Sequence, residues 1–206
     1  MPFLVGLVGG IAAGKSTATA WLSKRGAIVI DADKVGHQLY ADANSVCFKD
    51  LVGHFGKSIV NGDGTIDRRA LGSIVFGSAD QMKALQSIVW PCIAIRLQEL
   101  VEQEDDASVV VVEAAILLEA GWDAVLPFDH LIGVHVDPVL ALSRLMARNG
   151  LSEEEADKRI GSQMGNEERA ARVDSIIDNG GSEEELASRL EDVWREIESK
   201  KGKKAT

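Results

Sequence analysis

The chain has 206 residues, 46% of them hydrophobic, and carries 22 Lys+Arg against 32 Asp+Glu for a formal charge of -10. That length suits one domain, or one core with a small appendage, with a substantial interior. The apolar fraction excludes general disorder, and the acidic balance excludes a broad nucleic-acid surface or charge-driven attachment to anionic lipid.

Residues Phe3 to Val8 form an apolar run that ends in glycines. No basic stretch precedes it, so it reads as a buried strand rather than a secretory leader. A helix is predicted from Lys15 to about Lys24, and a second strand over Ala27 to Asp31. Both strands are nearly continuous in apolar character, as in parallel strands covered on both faces. Helices follow over Asp33–Tyr40 and Ser45–Phe55, then the turn-rich GKSIVNGDGTIDR, then helices over Asp67–Val75 and Asp80–Trp90. Pro91 is expected to kink or restart the last of these, which resumes over Ile93–Glu104.

The most β-like run is Ala107–Val112, which ends in the acid Glu113, and Leu131–Val136 is a further strand. A helix runs on through Arg148 to the stop at Asn149-Gly150. Ser152 to Glu155 supply a capped restart, and Ser182 with Glu185 forms a capping box for the final helix. Between them Val173–Ile177 is a short strand. Strands alternating with helices predict an α/β fold with a mainly parallel sheet. Ala141–Arg172 is helical, charged and poor in large apolar residues, which suits a flap over a site. The tail KKGKKAT reads as a frayed, solvated end. Cys47 and Cys92 have no CxxC spacing and read as reduced thiols. His37, His54, His130 and His135 have no metal-site spacing. No uncharged apolar stretch approaches the ~18 residues needed to span a bilayer.

Gly9-Gly10-Ile11-Ala12-Ala13-Gly14-Lys15-Ser16 matches GxxxxGK[ST] in full, between a predicted strand and a predicted helix. Glycines there let successive backbone N–H groups converge on one phosphate, and the helix N-terminus adds free donors and a favourable dipole. Lys15 is expected to span the β- and γ-phosphates, Ser16 to ligate Mg²⁺, and Thr17 to approach the α-phosphate. Asp33-Lys34-Val35-Gly36 also spells the DxxG of a switch protein, but no NKxD follows, and a small-molecule kinase fits best. A nucleotide-controlled interaction protein and a kinase for another small acceptor remain as alternatives.

A kinase acting on a hydroxyl needs an acid to orient it and take its proton. Asp33 is the candidate, with Asp31 as supporting acid or helix cap. Glu113, ending its strand, is placed to hold Mg²⁺ through water. Glu119, in AAILLEAGW, either anchors a buried network or faces the acceptor. Arg144 and Arg148 share one helical face, and Arg159 and Gln163 repeat that spacing. Arginines on a flap would meet the charge that develops in phosphoryl transfer; salt bridging to Glu153–Asp157 is the plainer alternative. Trp90 and Trp122 are candidates for lining an apolar ligand groove.

These segments together resemble the dephospho-coenzyme A kinase family. The likeness is carried by GLVGGIAAGKST (6–17), AIVIDADKVGH (27–37), GTIDRRALGSIVF (64–76), LLEAGWD (117–123), RLMARNGLSEEEADKRIGSQM (144–164) and IIDNGG (176–181). Trp90-Pro91 stands where bacterial members usually show His-Pro, and WPCIA and LLEAGW are similar to the kinase domain of eukaryotic bifunctional coenzyme A synthase. The resemblance implies a P-loop nucleoside-kinase fold over residues 1–199 with a parallel central sheet. It also implies a mainly helical acceptor-side region over 45–105, a lid over about 141–172 and a basic tail over 200–206. It implies ATP-dependent, Mg²⁺-assisted phosphorylation of the ribose 3′-hydroxyl of dephospho-coenzyme A, in the cytoplasm, without nucleic-acid or stable membrane partners. Carried over by position, the phosphate loop is Gly9 to Thr17 and the catalytic acid Asp33. Arg68 is an acceptor contact, and Trp90 and Glu119, read from the residues rather than carried over, are the further acceptor-side candidates. Arg144, Arg148, Arg159 and Gln163 belong to the lid, and Asn179 lies near the nucleotide base.

Overall fold

The computed structural model describes residues 1–204. In chain order the elements begin β1 (Phe3–Gly9), α1 (Lys15–Lys24) and β2 (Ile28–Asp31), followed by helices α2 (Ala32–Ala41), α3 (Val46–Phe55), α4 (Arg68–Val75) and α5 (Ala79–Glu102). They continue with β3 (Val109–Glu113), β4 (His130–His135), α6 (Pro138–Asn149), α7 (Glu153–Gly161), α8 (Asn166–Ala170), β5 (Ser175–Asp178) and α9 (Glu183–Lys204). The chain packs as two units, one made of Met1–Ile30 with the residues from Val101 onward, the other of Asp31–Leu100.

The first unit is built on a five-stranded sheet of order β2-β3-β1-β4-β5. The pairs β1–β3, β1–β4 and β4–β5 are parallel, with Val5 opposite both Val111 and His130. Every residue of β1 is buried, which explains why its sequence is apolar throughout rather than alternating. Phe3, Val5 and Leu7 face a core shared with Ala18 and Leu22 of α1 and with Leu186, Leu190 and Ile197 of α9. Gly6 faces the other way. A β-carbon there would fall 2.5 Å from Leu131 Cδ2 and 3.2 Å from both Leu117 and Phe128, so the segment after β3 closes tightly over that face. Trp122 lies in this segment at 2% exposed. It is core, not the wall of a ligand groove, because the 3₁₀ turn Trp122–Ala124 folds it inward.

Two features of this unit depart from expectation. The flap segment is not free of core: Ala141 and Leu145 of α6 are buried. The basic tail is not frayed either, since α9 runs through Lys204, and residues 205–206 lie outside the described residues. Lys204 Nζ donates to Asp129 Oδ2 at 2.7 Å, and Lys200 Nζ lies 2.8 Å from His130 Nδ1 and 2.9 Å from Glu196 Oε1. Lysines read as solvated are therefore anchored, because their period along α9 returns them to the same side of the helix.

The second unit is helical. Asp31 caps α2 by accepting from the Lys34 N–H, Ser45 caps α3 from Phe48, and Asp67 caps α4 from Arg69 and Ala70. Gly36 lets α2 approach α5, since a β-carbon there would lie 3.0 Å from Ile93 Cδ1. α5 is one helix of 24 residues with Pro91 inside it, not two segments restarted at the proline. Pro91 removes one backbone donor, but its exposed position leaves the acceptor it strands open to water. Cys47 and Cys92 bring α3 and α5 together with their thiols hydrogen-bonded, and burial pushes Cys47 up to about 12, so neither thiolate forms readily.

Candidate active site

The phosphate loop hangs between β1 and α1. Gly14, the residue before α1, has φ 97°, and Ala12 has φ 60°. Both lie in the left-handed region, where a string of turned-in amides becomes a concave cradle for an anion. Ala13 N–H donates back to Gly10 C=O at 3.2 Å, and Thr17 and Ala18 N–H both reach Gly14 C=O. The side chain of Asn179, 8% exposed, donates from Nδ2 to Ala13 C=O at 2.8 Å. Asn179 thus buttresses the loop from the end of β5, and its own backbone N–H is fixed on His135 C=O at 2.7 Å.

Around the loop lies a cleft of about 410 Å³ lined by Gly10, Ala12 to Thr17, Glu113, Arg144, Arg148, Asn179 and the first turn of α9. It falls at the carboxyl ends of β1, β3 and β5, where open parallel sheets bind ligands. Lys15 Nζ donates to Gly9 C=O at 3.0 Å and stands 3.7 Å from Glu113 Oε1. Glu113 is the last residue of β3, so the strand end brings its carboxylate to the loop. Arg144 and Arg148 both line the cleft, one helical turn apart on α6. Among the described residues no three His, Cys, Asp or Glu side chains form a cage for a metal ion. Ser16 Oγ and Glu113 beside a phosphate site instead suit Mg²⁺, which keeps much of its water and shares phosphate oxygens.

Arg159 is placed differently. It is exposed on α7, lines neither this cleft nor its neighbour, and helps, after the Ser152 hydrogen bonds, to hold the Glu155 carboxyl below its usual range. Glu119 Oε1 accepts from Met164 N–H at 3.2 Å, a contact of the network kind that the sequence offered as one of two alternatives. Gln163 reaches the loop itself, its Oε1 accepting from Ile11 N–H at 2.7 Å. In the second unit Asp33 is exposed in the first turn of α2. Arg68 is exposed at the start of α4 and close enough to Tyr40 to act on its hydroxyl, while Trp90 is half-buried within α5.

Sequence reasoning missed Arg169, which is 1% exposed in α8 behind the loop. Burial pulls the guanidinium down from its ordinary value, while Glu119 and Glu168 oppose that. A charged residue in a charged, glycine-flanked stretch looks like surface, and nothing in its spacing signals burial.

A dephospho-CoA kinase family model matches residues 3–185. The chain belongs to the dephospho-CoA kinase family. It is 43% identical over 195 residues to the dephospho-CoA kinase of Geobacter sulfurreducens, covering 93% of this chain and 96% of that one. To the enzyme of Symbiobacterium thermophilum it is 42% identical over 194 residues, covering 93% and 80%. Among solved structures, TT1252 from Thermus thermophilus superposes with a TM-score of 0.78 at 33% identity over 95% of this chain and 97% of that one. The dephospho-CoA kinase from Campylobacter jejuni gives 0.69 at 29% identity over 96% and 98%. A shikimate kinase from Acinetobacter baumannii, at 13% identity and a TM-score of 0.55 over 97% and 94%, shares the fold alone. The P-loop kinase architecture expected from the motifs is thus the one this dephospho-CoA kinase family member has.

Proposed function

We propose that this protein transfers the γ-phosphoryl group of ATP to the ribose 3′-hydroxyl of dephospho-coenzyme A, yielding coenzyme A and ADP. Family membership supports the reaction class. The observation that carries the chemistry is one cleft holding a phosphate-cradling loop, Lys15, Glu113, Arg144 and Arg148 together. Phosphoryl transfer asks a protein for position and charge rather than covalent chemistry, and these groups supply both.

Backbone donors of Gly14 to Ser16 and the Lys15 ammonium hold the β- and γ-phosphates. Arg144 and Arg148 meet the charge that spreads over the transferring group, in a cleft lined by the basic Lys15, Arg144 and Arg148 against the acidic Glu113 and Glu183. Residues 137–172 hold six basic and seven acidic side chains, a near balance within a chain of charge -10. Ser16 and Glu113 would hold Mg²⁺, the latter through water, and the ion would neutralise charge between the β- and γ-oxygens. Asp33, exposed at the start of α2, orients the acceptor hydroxyl and accepts its proton. Arg68 and Trp90 are the acceptor-side residues of the helical unit. Among the described residues no helix is long and apolar enough to cross a membrane; with an acidic surface, the reading is a cytoplasmic enzyme without nucleic-acid partners.

The test is ADP release with ATP·Mg²⁺, with and without dephospho-coenzyme A, and identification of the product by mass. Turnover that depends on the acceptor and a product heavier by one phosphoryl group are expected. Turnover unaffected by the acceptor would sink the assignment. Asp33→Asn should lower kcat by about 100-fold or more while leaving ATP affinity within a few-fold, the split expected of a group that acts on the acceptor.

A further inference from the structure

Arg169 carries a guanidinium into the interior, where the Glu119 and Glu168 carboxylates act on it electrostatically while its hydrogen bonds go elsewhere. Its Nη2 donates to Met164 C=O at 2.7 Å and its Nη1 to Asn166 Oδ1 at 3.3 Å, both neutral acceptors. Burying a guanidinium costs desolvation even with carboxylates near it, and its rigid fork of donors fixes the groups it spans. Here it fixes the segment between α7 and α8. Asn166, held at Oδ1 by the arginine, donates from Nδ2 to Val136 C=O at 2.8 Å, so the segment is tied to the end of β4. Met164, held at its carbonyl, has its N–H on Glu119. Between these two ties the neighbouring Gln163 accepts from Ile11 N–H in the phosphate loop. A β-carbon added to Gly10 would lie 3.8 Å from Arg169 Nη1 and 3.9 Å from Gln163 Oε1, which places both directly behind the loop's first turn.

We propose that Arg169 is a positioning residue for phosphoryl transfer: it locks the 163–166 segment so that Gln163 holds the first turn of the phosphate loop in register with the flap. ATP is gripped in its ground state by the later loop amides and Lys15, which this network does not touch. What the network sets is the alignment of the first turn against the 163–166 segment of the flap, and alignment matters most in the transition state. The kinetic part of this inference rests on the kinase reading; the part that concerns Ile11 does not.

Two variants and two measurements test it. Gln163→Ala removes a half-buried amide and should leave the fold intact. Exchange of the Ile11 amide with deuterium, followed by NMR in the nucleotide-free protein, should quicken by about tenfold or more once its acceptor is gone. The same variant should lower kcat by about 10- to 100-fold with the KM for ATP changed less than about threefold. Arg169→Lys keeps the charge but cannot span both acceptors, so it should reproduce both effects. A lysine variant with wild-type kcat and wild-type Ile11 exchange would show that charge alone matters and would overturn the proposal. So would a Gln163→Ala protein whose Ile11 amide exchanges at the wild-type rate. If no acceptor-dependent turnover exists at all, the exchange results still decide the positioning role.

Discussion

Gly14→Ala tests how the phosphate loop is held, because two separate costs meet at that residue. Its φ of 97° lies where a side chain is strained, and a β-carbon built there falls 2.0 Å from Asn179 Nδ2. The backbone term is about 1–2 kcal/mol. The steric term cannot be absorbed while Asn179 stays on Ala13 C=O, and expelling that amide leaves a buried carbonyl without its donor, about 1–3 kcal/mol more. Gly14→Ala should therefore destabilise the protein by about 2–5 kcal/mol. In an Asn179→Ala background the obstacle is gone, and the same substitution should cost only the backbone term of about 1–2 kcal/mol. Urea unfolding of the four proteins of this cycle gives the coupling. Equal costs of Gly14→Ala in the two backgrounds would refute the idea that Asn179 buttresses the loop by packing against Gly14.

Three further outcomes follow from the structure. Asp31→Ala should cost about 1 kcal/mol of stability by uncapping α2, with kcat changed far less than by Asp33→Asn, a contrast read by thermal unfolding and steady-state kinetics. Pro91→Ala restores a backbone donor in an exposed helix interior and should raise stability, by up to about 3 kcal/mol, in the same unfolding assay. Burial, reinforced by Lys200 and opposed by Asp174 and Glu196, holds His130 below its ordinary 6.5, and burial with Arg169 does the same for His135. A lowered folded value means the unfolded chain binds more protons, so this stability is complete above the ordinary histidine range and is lost as pH falls below it. Melting temperature should drop between pH 7.5 and 5, and His130→Gln should flatten part of that slope; an unchanged slope would argue against the role of His130.

Much of the site was legible because its geometry is local. The glycines, Lys15 and Ser16 are one contiguous segment whose backbone turns itself into a cradle. The caps at Asp31, Ser152 and Ser182 act within three residues of their partners. Glu113 could be found because a strand's end points to the edge of its sheet. Of the two readings of Pro91, a kink or a restart, the restart is excluded by the continuous α5, because local rules count the lost donor and not the packing around it. The tail was misread for the same reason: four lysines look solvated until α9 brings two of them onto His130 and Asp129.

The sequence by itself determined the architecture class, the phosphate loop and the family, since each depends on short-range order that side-chain spacing records. Only the tertiary structure decided what stands behind the loop. Asn179 meets Ala13 across 166 residues and Gln163 meets Ile11 across 152, and Arg169 is buried by segments that are remote from it in the chain. Local spacing cannot encode such contacts. They exist because sheet order brings the ends of β1, β4 and β5 side by side, and the polar groups gathered there must find one another once water is excluded.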